Sequence, residues 1–189
     1  MPTRPMRPLR FALLLIALAT PASADEAAWE ALSRPGAVAV MRHALAPGTG
    51  DPPDFTLDDC ATQRNLDDRG RAQARSIGAA IRERGIAVDR VMTSQWCRCR
   101  ETAELLNIGP VEALPALNSF FADRSTRTAQ TEATEAFLRG LLAGERVVLV
   151  THQVNITALT AVYPSSGEIV VGRMGPDGFE ANGFILIRP

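Results

Sequence analysis

Two short, wholly apolar runs, each ended by a histidine, do most to restrict what this chain can become. Val38–Met41 leads into Arg42-His43 ("VAVMRH"), and Val147–Val150 leads into Thr151-His152 ("VVLVTH"). These are the only two histidines among 189 residues. Continuous runs of this length, rich in valine, read as strands buried on both faces, and such strands need a helical layer on each side. The intervening segments supply helical patterns, so the expected architecture is a three-layer α/β/α sandwich with a mostly parallel central sheet.

The other elements follow from punctuation and spacing. "EAAWEALSR" is a short helix ended by Pro35-Gly36, and "LDDRGRAQARSIGAAIRERG" a longer one with Ala72, Ile77, Ala80 and Ile81 on its apolar side and Gly85 at its end. "VDRVMTS" is a strand, "ETAELLNIG" a helix closing at Gly109, and "VEAL" a further short strand. A helix is expected from about Thr131 to Leu142, another in "QVNITALTAVY", and two closing strands in "GEIVVGR" and "GFILIRP". Between His43 and the second helix runs a long loop rich in Gly, Pro and Asp, of the kind that in compact domains usually has a function.

The N-terminus reads as a targeting signal rather than as part of the fold. "MPTRPMRPLR" carries three arginines and no acid, "FALLLIALAT" is an apolar core, and Ala22 and Ala24 give the small-residue cleavage pattern. The expectation is a signal peptide over residues 1–24, cleavage near Ala24, and a single domain over 25–189 that is periplasmic or secreted. No later stretch is long enough to span a membrane. Without Arg4, Arg7 and Arg10 the chain holds 17 arginines against 21 acidic residues, a net charge of −4 that argues against nucleic-acid partners. It contains no lysine, which excludes Schiff-base chemistry and a Walker-type phosphate loop.

Cys60, Cys97 and Cys99 do not have zinc-ligand spacing. In an oxidising compartment Cys60 should pair with Cys97 or Cys99, leaving one buried thiol.

In open α/β sheets, ligands bind beyond the carboxyl ends of the strands. That rule gathers Arg42, His43, Arg98, Arg100, Thr151 and His152 at one crevice without an acidic cluster. Arginine forks and imidazoles suit a dianionic oxyanion; no metal and no cofactor is called for. A neutral imidazole beside such a pocket can attack phosphorus and form a covalent intermediate.

The motifs at these positions resemble the histidine phosphatase superfamily, the phosphoglycerate-mutase-like proteins. The family's Arg-His-Gly motif stands as Arg42-His43-Ala44, with alanine for the usual glycine. Its "L-x-x-x-G-x-x-Q-A" appears as "LDDRGRAQA" (Leu66–Ala74), and its "S-x-L-x-R-A-x-x-T-A" as "SQWCRCRETA" (Ser94–Ala103); "VVLVTHQVN" carries the second histidine. The resemblance implies a phosphatase acting on phosphomonoesters, with His43 as nucleophile and Arg42, Arg98 and His152 completing the phosphate pocket. Arg100, two residues on, is expected to be a surface or support charge. A phosphorylated small molecule or envelope component is the implied partner, with a phosphohistidine or phosphoprotein substrate, or a non-catalytic phosphate-binding or interaction role, as alternatives; oligomeric state stays open. Where relatives place a glutamate or aspartate as proton donor, this chain has Ser119 and Gln153. Asp123 is the leading substitute, ahead of Glu101, Asp51 and Asp54. The family's small residue at position 99 implies that Cys99 packs inward and that Cys60 pairs with Cys97.

Overall fold

The computed structural model describes residues 24–189. The expected signal peptide lies outside the described residues, except for its last position, Ala24, which opens the first helix. Among the described residues five α-helices accompany one six-stranded sheet. In chain order these are α1 (Ala24–Ser33), β1 (Val38–Arg42), α2 (Asp68–Glu83), β2 (Arg90–Thr93), α3 (Cys97–Leu106), β3 (Val111–Ala113), α4 (Arg127–Arg139), β4 (Val147–Thr151), α5 (Gln153–Thr160), β5 (Ile169–Gly175) and β6 (Gly178–Ile185). The strand order is β3-β2-β4-β1-β5-β6. The first four are mutually parallel, while β5 runs antiparallel to both β1 and β6.

The valine-rich runs bury alternate residues on opposite faces of the sheet. Ala39 and Met41 of β1, with Val148 and Val150 of β4, pack under α1, α2 and α3 through Leu32, Ile77, Ile81, Ala103 and Leu106. Val38, Val40, Val147 and Leu149 face the other way, against Leu138 of α4 and Ile156 of α5. Both layers of the sandwich are therefore present, as the uninterrupted apolar runs require.

Several boundaries differ from expectation for local reasons. Helix α3 begins at Cys97, four residues earlier than the pattern in "ETAELLNIG", so Arg98 is helical. It ends where Asn107 turns left-handed (φ 49°), two residues before Gly109. Helix α4 runs from Arg127, not Thr131, and β6 starts at Gly178 because it forms a hairpin with β5. The buried side of α2 is Gly70, Gln73, Ala74, Ile77, Gly78 and Ile81, and Ala72 faces outward. At Gly78 a side chain would meet the Leu106 carbonyl at 1.9 Å, so α2 and α3 cross backbone to backbone. No helix among the described residues is long and apolar enough to cross a membrane.

Candidate active site

Strands β1 and β4 are adjacent, parallel and in register, with Arg42 opposite Thr151. The next residue on each is histidine, and the His43 backbone N–H donates to Thr151 O at 2.9 Å. The two imidazoles consequently emerge side by side, 5.6 Å between ring centres, and both are buried. Thr151 turns away from them and donates to Leu117 O at 2.6 Å, anchoring the neighbouring loop.

The residues between the histidines explain the spacing of the remaining motifs. His43 needs the chain to leave β1 in one defined direction, and α2 and α3 fix that direction. Gln73 accepts from Leu45 N at 3.0 Å while its amide N–H groups donate to Ser166 O and Ile187 O. Gly70 lets α2 approach so closely that a side chain would stand 1.9 Å from Leu45 O. Ala44 N donates to Thr102 Oγ1 at 3.1 Å, and Ala44 packs with Ala46, Leu66 and Ala74. Ala44 is not among the positive-φ residues, so its methyl replaces the family's glycine without left-handed strain.

A cavity of about 370 Å³ opens over these strand ends. Its floor holds Arg42, His43, Arg64, Arg98 and His152; its upper wall includes Pro52, Phe55, Trp96, Phe121 and Tyr163. Helices α3 and α5 begin beside it, so the positive ends of two helix dipoles contribute to the same field. The Nε groups of Arg42 and Arg98 are buried and have no hydrogen-bond partner among the described residues.

The hydrogen bonds define the protonation of each imidazole. His43 Nδ1 lies 2.8 Å from Ala44 O, an acceptor, so Nδ1 carries the proton and donates, and Nε2 keeps its lone pair. Arg98 Nη2 lies 3.4 Å from His152 Nδ1 and can only donate, so the His152 proton sits on Nε2 and is donated to Ser94 Oγ at 2.8 Å. Ser94 Oγ in turn donates to Asn118 Oδ1 at 3.3 Å. Burial and then the Arg98 guanidinium hold both histidines well below the ordinary imidazole range, with Arg64 and Arg42 adding to the effect. Both are neutral at pH 7.

Two residues of the long loop, neither given a leading role by the sequence, enter this site. Asp51 accepts from Arg98 Nη1 at 2.7 Å and Nη2 at 3.1 Å, and also from Trp96 Nε1 and Arg64 N. Burial pushes its carboxyl up, but these bonds and the Arg98 charge outweigh it and hold Asp51 below the usual range. Arg64 donates to Gly50 O and Ala46 O, and burial, with Arg98 and Arg42 nearby, lowers its guanidinium to about 10. In the sequence Arg64 looked like any other loop arginine; its place directly before the "N-L-D-D-R-G" helix start was the one available signal.

Of the predicted site residues, the structure brings Arg42, His43, Arg98 and His152 together. It does not bring Asp123 to them. Asp123 faces solvent, caps a 3-10 turn by accepting from Ser125 N, and is absent from the cavity lining. The Ser125 bonds also hold its carboxyl low, the opposite of what a proton donor needs. Glu101 pairs with Arg71 on the outer side of α3, and Asp54 is exposed. Ser119 and Gln153 do line the cavity, and Asp51 is the sole carboxylate that does so among the described residues. Cys60 is joined to Cys97, 5.7 Å apart at Cα, and Arg100 lies outside the cavity against that bridge. Cys99 is buried and free, its thiol pushed up to about 12 by burial. No cluster of three or more His, Cys, Asp or Glu side chains suited to a metal occurs among the described residues.

An imidazole pair in a cationic crevice at the ends of parallel strands defines a phosphoryl-handling α/β protein. The chain belongs to the histidine phosphatase superfamily (branch 1), whose family model matches residues 41–139. No curated protein matches significantly. Among solved structures it is similar to a mycobacterial glucosyl-3-phosphoglycerate phosphatase complexed with VO3 (14% identity, TM-score 0.60, covering 80% of this chain and 99% of that one). It is also similar to the protein histidine phosphatase SixA complexed with tungstate (17%, 0.56, 79% and 96%) and to a SixA from Agrobacterium tumefaciens (19%, 0.55, 81% and 99%). At these identities the likeness establishes the phosphoglycerate-mutase-like fold.

Proposed function

We propose that this protein is an exported phosphatase, with its mature unit over residues 25–189, that hydrolyses phosphomonoesters through a phosphohistidine on His43. The observation that carries this reading is the His43 Nδ1–H bond to Ala44 O. It points the proton away from the nitrogen that must attack, while burial and the charges of Arg98, Arg64 and Arg42 keep the ring neutral. Arg42, Arg64, Arg98 and His152 hold the phosphoryl oxygens. His43 Nε2 gives its lone pair to phosphorus, and the bond to the leaving oxygen breaks with its electron pair staying on that oxygen. Water then attacks phosphorus, the N–P bond returns its electrons to Nε2, and the surplus proton leaves with phosphate or solvent. Charge on the transferring group meets preorganised donors throughout. The Ser94 hydroxyl can donate as well as accept, so His152 can shift its proton to Nδ1 when a phosphoryl oxygen replaces Arg98 as its neighbour.

The Cys60–Cys97 bridge and the signal-like N-terminus support export. A phosphorylated small molecule or envelope component fits such a location. The test is a brief incubation of oxidised protein with 32P-labelled phenyl phosphate, quenched in alkali. Expected are released phosphate and an acid-labile, alkali-stable label that maps to the His43 peptide. Turnover with no such label, or a label on another residue, overturns the mechanism.

A further inference from the structure

The proton-donor positions and the upper wall of the cavity bear on which phosphate esters can react. Ser119 and Gln153, at the two places where relatives hold an acid, both face the cavity and are both neutral. Asp51, the remaining carboxylate of the lining, is committed to Arg98 in a two-point ion pair with its side chain 9% exposed. The site thus places no protonated acid beside a departing oxygen. An alkyl ester, which leaves as a strongly basic alkoxide, forfeits the roughly 10²–10⁴-fold that general acid catalysis contributes. A leaving oxygen of low basicity forfeits far less.

The wall above the floor is made for a ring. From His43 a file of ring contacts leads outward: His43 to His152 at 5.6 Å, His152 to Trp96 at 5.3 Å, and Trp96 to Phe55 at 5.6 Å. Phe121, 46% exposed, and Tyr163, 75% exposed, also line the opening. The main chain next to Tyr163 is tied to the floor, where Pro164 O accepts from Arg42 Nη1 at 3.0 Å. Beyond the floor the one charged side chain of the lining is Asp51, already paired with Arg98, and residues such as Thr49, Pro52, Ser119, Gln153 and Val154 are uncharged. A second phosphate, a carboxylate or a cationic group on the substrate finds no partner there. A flat apolar group finds four aromatic side chains in the lining to pack against.

We infer that the substrate is an aryl phosphomonoester, in which the phosphorylated oxygen is borne directly by an aromatic ring that lodges among Phe55, Trp96, Phe121 and Tyr163. This rests on the phosphatase reading and narrows its substrate class. Phenolate departs with the P–O electron pair and takes its proton from solvent afterwards, so no residue of the site has to supply one.

The experiment compares kcat/KM for phenyl phosphate, glycerol 2-phosphate and hexafluoroisopropyl phosphate, an aliphatic ester whose alcohol is about as acidic as phenol. Expected is a preference for phenyl over glycerol phosphate of at least about a hundredfold. Phenyl should also exceed the fluorinated ester by roughly two- to tenfold, the part that stacking contributes. Phe121→Ala should erase most of that second ratio, Tyr163→Ala should reduce it, and Tyr163→Phe should retain it. A phosphotyrosyl peptide preferred over phenyl phosphate identifies a protein source for the ring, and the reverse order a small molecule. Equal turnover of phenyl and fluorinated esters, insensitive to Phe121→Ala, overturns the inference while the phosphohistidine label keeps the phosphatase reading. Absence of turnover and label with every ester overturns both.

Discussion

The floor of the cavity, Arg64 apart, comes from strand ends and helix starts, whereas about half of its outer wall comes from residues 44–65, which hold one 3-10 turn and no longer helix. On the floor the other residues are fixed by main-chain geometry: His43 and His152 by the register of β1 with β4, and Arg98 by the first turn of α3. In the wall, position is fixed by side chains, one at a time. Asp51 reaches Arg98, Gln63 accepts from Cys97 N at 2.9 Å, and Cys60 is bonded to Cys97. Backbone register tolerates most substitutions, and individual side-chain ties do not. The floor therefore preserves chemistry while the wall is free to set which molecule enters, a division common where loops sit on a rigid scaffold.

The largest effect should come from the floor. His43→Ala removes the nucleophile and leaves only binding and charge stabilisation, so kcat should fall by at least about 10⁴-fold. Its melting temperature should stay within a few degrees of the parent, since the ring is held by one hydrogen bond of its own. Activity within tenfold of the parent would place the nucleophile elsewhere.

Breaking the wall should cost stability before chemistry. The Cys60–Cys97 bridge closes a loop with a sequence separation of 37, so its loss should release about 4 kcal/mol through the unfolded chain. For a chain of this size that corresponds to roughly 10 °C in melting temperature. The paired variant Cys60→Ala/Cys97→Ala, or reduction of the parent, should show it by calorimetry. Because Cys97 precedes Arg98 and the bridged loop supplies Arg64, vanadate binding should weaken in the same samples. A change in melting temperature with unchanged vanadate affinity would separate the bridge from the site.

The same contrast governs what could be read from the sequence. The sandwich, the two histidines, Arg42 and Arg98 follow from apolar runs and motifs at fixed spacing, because parallel strands force residues at their ends together. The pairing of Cys60 with Cys97 followed from the family's small residue at position 99, and Cys99 is indeed packed inward, fully buried. Asp123 stands near Ser119 in sequence, but nearness in a loop carries no direction: the 3-10 turn it caps aims it at solvent. Arg64 and the Asp51–Arg98 pair were invisible for a related reason. They depend on the path of a loop whose turns at Gly48 and Gly50 (φ 92° and 73°) no periodicity reveals. The antiparallel course of β5 was equally unreadable, since its apolar run looks the same in either direction.

A smaller effect joins floor to wall. Asp51→Asn removes a negative charge beside the anion pocket while its amide oxygen can still accept one bond from Arg98. Two opposing outcomes are conceivable on electrostatic grounds, and their sizes decide. Charges several ångströms apart near a protein surface interact by a few kcal/mol at an effective dielectric constant of about 20, whereas one lost neutral-for-charged hydrogen bond costs about 1–2 kcal/mol. Relief of repulsion wins, so vanadate should bind several-fold more tightly to Asp51→Asn, measured by inhibition or calorimetry. Weaker binding would mean that Arg98 depends on the carboxylate for its orientation.

The smallest effect over the ordinary working range is that of pH, and it distinguishes a buried floor from an open one. Burial and Arg98 hold His43 and His152 well below the ordinary imidazole value near 6.5. Between that value and their folded values the unfolded chain binds more protons than the folded one. Stability is therefore complete above about pH 6.5 and declines as pH falls below it, continuing down to the folded values. Activity should follow the folded histidine, because attack needs only an unprotonated Nε2. After correction for the substrate's second ionisation near 6, kcat/KM should stay level through pH 6.5 and drop only well into the acid range. His152→Asn, which removes one of the two titrating rings, should flatten the acid decline in melting temperature by a measurable part while leaving the position of the acid limb of kcat/KM with His43. An acid limb at 6.5 or above, in the parent, would mean that water and substrate reach His43 as they reach a surface residue, and the enclosed floor would have to be abandoned.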